Sequence, residues 1–324
     1  MFSHRYVPTA VALLSLVAQG AFAQAYPSKP IRVLSTFTAG SVADGAMRLV
    51  GQKMQESMGT PVIVEVASGG GGVLAGQTLV RSAPDGYTIL HCAPTTIVAT
   101  PFLLKNPPYD PLKDFTYITH MADATTSMLA TINAPFNNIK EFIAYTKANP
   151  GKIAYGSNGV GASYHLEMSL FAQKYGVDVI HVPYKGGQEG LNAAAAGQIP
   201  VAFAPAASAY QQAKAGKVKI LAVVTNGERY PGLPQVPTLK EQGYDLDFRN
   251  WVAMFLPTKT PQAIVTRWNG EVNRLLKDRA WTDKFFVPMA LTPTGGTPEE
   301  FAAFMKRDMA QGAELAKIAN LRLD

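Results

Sequence analysis

The sequence predicts an α/β protein of two lobes, joined by two hinge crossovers around a ligand cleft, and three observations carry that prediction. Short apolar runs with strand character alternate with segments of helical period. The 324 residues exceed what one hydrophobic core usually serves. The strand, turn and helix pattern also starts afresh near residue 124.

Residues 1–23 read as a secretory signal. His4 and Arg5 form a polar start, Val7 to Ala18 an apolar run, and Ala21-Phe22-Ala23 a small-x-small cleavage site, placing the mature start near Gln24. That run is too short to span a bilayer and no later segment is long enough, so an exported, soluble mature chain is expected. No cysteine sits at the cleavage point, so no lipid anchor is expected. Cys92, the one cysteine, ends an apolar run and is read as a buried small hydrophobe. The formal charge of +6 is scattered, with no basic block and no interleaved aromatic stripe. Nucleic acid is therefore not an expected partner, whereas small anions are favoured by the mild positive field.

The elements follow in order. Ile31 to Ser35 is a buried strand, Phe37 to Asp44 a turn of small residues, and 44–58 a helix with Met47, Leu49, Val50, Met54 and Met58 near a 3.6 period. Val62 to Val66 is a strand, Gly69 to Gly72 opens a helix, and Thr88 to Cys92 is a third strand. After the Pro107 to Pro111 connection, 139–148 is helical and stops at Asn149-Pro150-Gly151. A strand at Ile153 to Tyr155 leads through Gly156 to Ser163 into a helix from His165 to about Tyr175. Strands at 179–182, 201–203 and 220–224 bracket a helix at 187–196. A strand at 251–256 precedes helices near 261–277, 279–286 and 298–318. The expected parts are a signal at 1–23, one lobe of 24–123 plus 251–324, and a second lobe of 124–250.

The two small-residue turns, 37–44 and 156–164, each precede a helix N-terminus. There the first N–H groups lack intrahelical partners and the helix dipole is positive, so a carboxylate can be held without a cationic side chain. Facing turns in two lobes define a cleft for one anion. Enzyme signatures are incomplete: Gly161-Ala162-Ser163-Tyr164-His165 lacks the second glycine of a nucleophile elbow, His165-Leu166-Glu167 lacks paired cysteines, and Gly69 to Gly72 lacks the Lys of a phosphate loop. The five histidines have no metal-ligand spacing, and no cofactor is expected. His91 and His181 read as satisfied core residues, and His165 as a residue that orients the second turn or touches the anion.

Seven further segments, in order, resemble one family, the tripartite tricarboxylate transporter substrate-binding proteins or Bug receptors. They are Tyr26 to Arg32, Ala83 to Thr88, Tyr109 to Phe115, Ala148 to Lys152, His181 to Gly186, Pro234 to Thr238 and Gly295 to Phe301. The resemblance implies a type II-like periplasmic binding fold that captures carboxylates and performs no chemistry on them. It also implies backbone amides and ordered water on the ligand carboxylate at Phe37, Thr38, Ala39, Gly40, Ser41 and Asp44. Ser157, Asn158, Gly159, Ala162, Ser163 and His165 would grip the rest, with Thr95 and Ala204 completing the candidate contacts. Where amino-acid receptors of this family often carry an acid, this chain has Ala204-Pro205, so a ligand ammonium would lack its partner. A mono- or dicarboxylate, aromatic acids included, is expected, handed by a monomeric receptor to membrane permease subunits. The alternatives are a sensor subunit presenting the ligand to a membrane kinase, and a secreted hydrolase using Ser163 and His165.

Overall fold

The computed structural model describes residues 26–68, 70–225, 229–244, 246 and 249–319, so the signal read at 1–23 lies outside the described residues. The chain runs β1 (Ile31–Ser35), α1 (Val42–Met58), β2 (Val62–Val66), α2 (Val73–Val80) and β3 (Thr88–Cys92). A π-helical turn (Thr95–Ala99) passes into α3 (Thr100–Leu103), then β4 (Phe115–Ala124) and β5 (Thr126–Thr131). Next come α4 (Ile139–Ala148), β6 (Ile153–Ser157), α5 (Ser163–Tyr175), β7 (Val179–Pro183), α6 (Gly187–Ala195), β8 (Val201–Pro205), α7 (Ala206–Lys214) and β9 (Val218–Val224). The last stretch holds β10 (Trp251–Pro257), α8 (Gln262–Lys277), α9 (Arg279–Phe285), β11 (Leu291–Gly295) and α10 (Pro298–Ala319).

Two sheets result, ordered β11-β4-β10-β3-β1-β2 and β7-β6-β8-β5-β9. Alternation along the strands divides each core. In β10, Val252, Met254 and Leu256 join Met47, Val50, Trp268 and Val272 on one face, while Trp251, Ala253 and Phe255 join Leu79, Ile97, Phe301 and Met305 on the other. Every residue of β10 is buried, as expected of a central strand covered on both sides. In the second sheet, Phe136, Phe142, Met168 and Phe171 pack on one face and Leu191, Ala194 and Ile199 on the other.

The first sheet passes to the second at Thr125, whose N–H donates to Ala290 O (2.9 Å) and whose carbonyl accepts from Ala206 N (3.0 Å). The return lies between Val224 and Trp251, where Asn250 O accepts from Ala124 N (2.8 Å), so the two passages are tied together.

The structure differs from the sequence reading at several points, and it adds α3, α7 and β11, which the sequence reading did not contain. β4 and β5 went unread because Thr116, Thr119, His120 and Asp123 break the apolar signal. β10 enters the first sheet antiparallel between β3 and β4, which the repeated strand-helix pattern does not announce. α5 begins at Ser163 rather than His165.

Candidate functional site

Four chain segments leave strands at the face where the two sheets meet. They follow β1, β3, β6 and β8, consistent with ligand sites lying beyond the carboxyl ends of strands in α/β sheets.

The first turn is built by Asp44. Its carboxylate is buried, and Oδ2 accepts from Gly40 N (3.0 Å) and from Arg48 Nε (3.0 Å). Ser41 caps α1, its Oγ accepting from Asp44 N (3.3 Å), and Ser41 N donates to Thr38 O (3.1 Å). With these bonds made, the N–H groups of Thr38, Ala39, Val42 and Ala43 have no protein partner among the described residues. Phe37 is half-buried and its ring lies 4.9 Å from that of His91. Asp44 is thus the organiser of the turn: Oδ2 is taken by Gly40 and Arg48, while Oδ1 is buried with no hydrogen-bond partner among the described residues.

His91 corrects one expectation. It is fully buried, with Ser35 Oγ 3.3 Å from Nδ1 and no partner for Nε2 among the described residues, so it is not a satisfied core residue. Burial pulls its pKa down to about 3, against the opposing field of Asp44. Cys92 is buried as the sequence suggests, and burial raises its thiol pKa well above the ordinary value.

The second turn differs from the first in a way the sequence does not reveal. Gly159 N donates to Ser157 Oγ (3.1 Å), Gly161 N to His165 Nδ1 (3.0 Å) and Ala162 N to Gly159 O (3.2 Å). At the start of α5, Ser163 N donates to Thr95 Oγ1 (3.1 Å), Tyr164 N to Asn158 Oδ1 (3.1 Å) and His165 N to Ala162 O (3.0 Å). Unpaired main-chain donors are therefore plentiful in the first turn and reduced in the second to the N–H groups of Asn158 and Val160 among the described residues, the others being taken by Thr95, by side chains of the turn and by its own carbonyls.

His165 accepts at Nδ1, so its proton sits on Nε2 and the ring is neutral. Its ring stacks on that of His181 at 3.7 Å, and His181 Nε2 lies 2.6 Å from Ser157 Oγ. Burial first, and then His181, lowers the His165 pKa to about 4; burial lowers that of His181 as well. Ser163 Oγ accepts from Asn158 Nδ2 (3.2 Å), and no hydrogen bond joins Ser163 to His165 among the described residues. The nucleophile and base pairing that a hydrolase needs is absent there.

The turns face each other. Thr95 crosses from the first sheet's side to Ser163, and Thr38 stands so close to Gly186 that a Cβ at Gly186 would lie 3.3 Å from both its Cγ2 and Oγ1. Gly186 and His181 were not among the candidate contacts; the signal for Gly186 was its position, with Gly187, between a strand of the second sheet that ends at Pro183 and the start of α6. Ala204 is corrected too. Its side chain is fully buried in the core with Leu129, Leu191 and Ala202, and the end of β8 nearest Gly187 is Pro205. Among the described residues no group of His, Cys, Asp and Glu side chains could hold a metal ion.

Residues 46–321 match the model of the tripartite tricarboxylate transporter family receptor. Among solved structures, an R. palustris protein with adipate is 27% identical, with a TM-score of 0.86 over 92% of this chain and 99% of that one. The periplasmic binding protein BugD is 31% identical, with a TM-score of 0.82 over 92% and 99%. MatC from Rhodopseudomonas palustris with bound malate is 26% identical, with a TM-score of 0.80 over 90% and 99%. The matched family is one of receptors rather than enzymes, and these structures share the two-lobed α/β fold. The chain belongs to the tripartite tricarboxylate transporter receptor family.

Proposed function

We propose that this chain is exported by its 1–23 signal and works as a monomeric receptor that captures a small amine-free carboxylate for the permease of a tripartite tricarboxylate-type transporter. The observation that carries the reading is the first turn, where Val42 and Ala43 offer unpaired N–H groups at the positive end of a 17-residue helix. Thr38 and Ala39 add unbonded N–H groups in the same turn and Ser41 a hydroxyl, and adipate and malate in the two related structures are carboxylates. Residues 24–123 with 251–324 form one closing body and 124–250 the other, hinged at the two tied passages. Asn158, Ser163, His165 and Phe37 contact the body of the acid. Asp44 is ion-paired with Arg48 and buried, so an ammonium group at the first turn would meet a carboxylate whose charge is already balanced and which is closed off from the surface.

A thermal-shift screen of small mono- and dicarboxylates, aromatic acids included, tests this. A true ligand at a hundred times its Kd adds about 2.7 kcal/mol and raises the melting temperature by several degrees. Tighter binding of aspartate or glutamate than of every amine-free acid rejects the reading. Closure has its own check. Gly186→Ala places a methyl against Thr38, so the selected acid is expected to bind about threefold to tenfold more weakly, roughly 1 kcal/mol, with the ligand-free melting temperature unchanged. Undiminished affinity would show that Thr38 and Gly186 do not meet in the bound state.

A further inference from the structure

We propose that Thr95 is a specificity-determining residue that stands in for one anionic end of the ligand, so that the cleft takes an acid with a single carboxylate and a neutral far end. The inference rests on the carboxylate-receptor reading and narrows it.

The donor count in the two turns carries the argument. A diacid held between two helix N-termini needs free N–H groups at both. α1 has them at Val42 and Ala43. At α5 the first three are taken, by Thr95 Oγ1, Asn158 Oδ1 and Ala162 O. Only Asn158 N and Val160 N remain unbonded in the second turn among the described residues. The one cationic side chain hydrogen-bonded to either turn, among the described residues, is Arg48, already engaged by Asp44. A second carboxylate would thus give up hydration and meet the Ser163 hydroxyl, the Asn158 amide and the His165 imidazole, which accepts at Nδ1, while Arg249, which lines the pocket beside Thr95 and Ser163, lies over the Phe304 ring and shares that pocket with the Asp308 carboxyl.

Thr95 is not a passing contact that a ligand could brush aside. It starts the π-helical turn, which is wedged from both sides. A Cβ at Gly71 (φ +63°) would lie 2.7 Å from Thr100 Oγ1 and 3.4 Å from Thr95 Cγ2, and one at Gly72 (φ +80°) would overlap the Thr96 hydroxyl. From the other side Gly312 of α10 packs so tightly that a Cβ there would lie 2.7 Å from Val98 O. Tyr109 adds a hydrogen bond to Thr96 O (2.8 Å). The glycines at 71 and 72 are explained by this close approach.

Calorimetry with matched pairs, hexanoate against adipate and benzoate against benzene-1,4-dicarboxylate, tests the proposal. The unaltered protein should favour the monoacid of a pair by about tenfold or more. Thr95→Val keeps the shape but removes the acceptor and frees Ser163 N–H, so the ratio should fall toward one. Thr95→Ser keeps the acceptor and should hold the original ratio. A preference for the diacid in the unaltered protein overturns the proposal, as does an unchanged ratio in a folded Thr95→Val; should that variant not fold, the unaltered ratio together with Thr95→Ser decides. Binding of none of the four acids, where other solutes raise the melting temperature, removes the carboxylate reading itself. A reversed ratio with tight acid binding leaves that reading standing and removes only the role of Thr95.

Discussion

Asp44→Ala is expected to weaken binding of the selected acid by about a hundredfold, roughly 2.7 kcal/mol, while lowering stability far less. The carboxylate touches no ligand in this account. It fixes Gly40 N–H and Arg48 through Oδ2 and is itself placed by the Ser41 cap. Removing it leaves Gly40 and Arg48, both exposed, free to bond water instead, so the folding cost stays near 1 kcal/mol. The turn, however, loses the bond that sets the direction of the N–H groups on either side of it, and preorganised donors lose most of their worth when they must be ordered on binding. Asp44→Asn separates geometry from charge. The amide oxygen can still accept from Gly40, so this variant should stay within about tenfold of the unaltered protein. An Asp44→Ala protein that binds as tightly as the original would mean the turn is held by the Ser41 cap alone.

The fold was largely legible because its signals are local. The 3.6 period of Met47, Val50, Met54 and Met58 and the buried run at 251–257 state which faces are apolar. The first turn was legible for the same reason, since Ser41 and Asp44 lie three residues apart at a helix start. What the sequence could not state depends on pairs far apart in the chain. Ser163 N and Thr95 Oγ1 are 68 residues apart, and Thr38 meets Gly186 only after both lobes are built. Neither turn sequence says whether its own amides will be consumed. That is settled by where His165 and Asn158 point, and Ser157-Asn158-Gly159 reads equally well as an open anion cradle. Ala204 was misplaced for a related reason. Strand alternation fixes that neighbours face opposite ways, but the sheet's orientation in the assembled protein decides which of them reaches the cleft.

Glu167 should make this protein lose stability as the pH rises from 4.5 toward 8, the reverse of what an ion-paired carboxylate does. It lies on α5, fully buried, where Oε1 accepts from Asn250 Nδ2 and Oε2 has no partner among the described residues. Burial pushes its pKa up to about 8, only partly offset by the Asn250 bond. The folded state therefore holds a proton that the unfolded chain releases near 4.5. The resulting stabilisation is complete below that pH and is lost progressively up to the folded value. Between pH 5 and pH 8.5 this one group is worth up to about 4 kcal/mol, taking about 1.4 kcal/mol per unit. Glu167→Gln keeps the size and the Asn250 bond without the charge, so denaturant midpoints of the variant should match the original at pH 5 and exceed it at pH 8.5. His165 and His91 act in the opposite sense over a lower window. Their pKa values are depressed to about 4 and about 3, so their cost appears as the pH falls below the unfolded value of 6.5. Both Glu167 and its Gln variant share that acid limb, which makes the difference between them at alkaline pH attributable to the carboxyl. Curves that run parallel from pH 5 to 8.5 would show that water reaches Glu167 and that Asn250, which also ties the two chain passages through its carbonyl, does not hold a protonated acid.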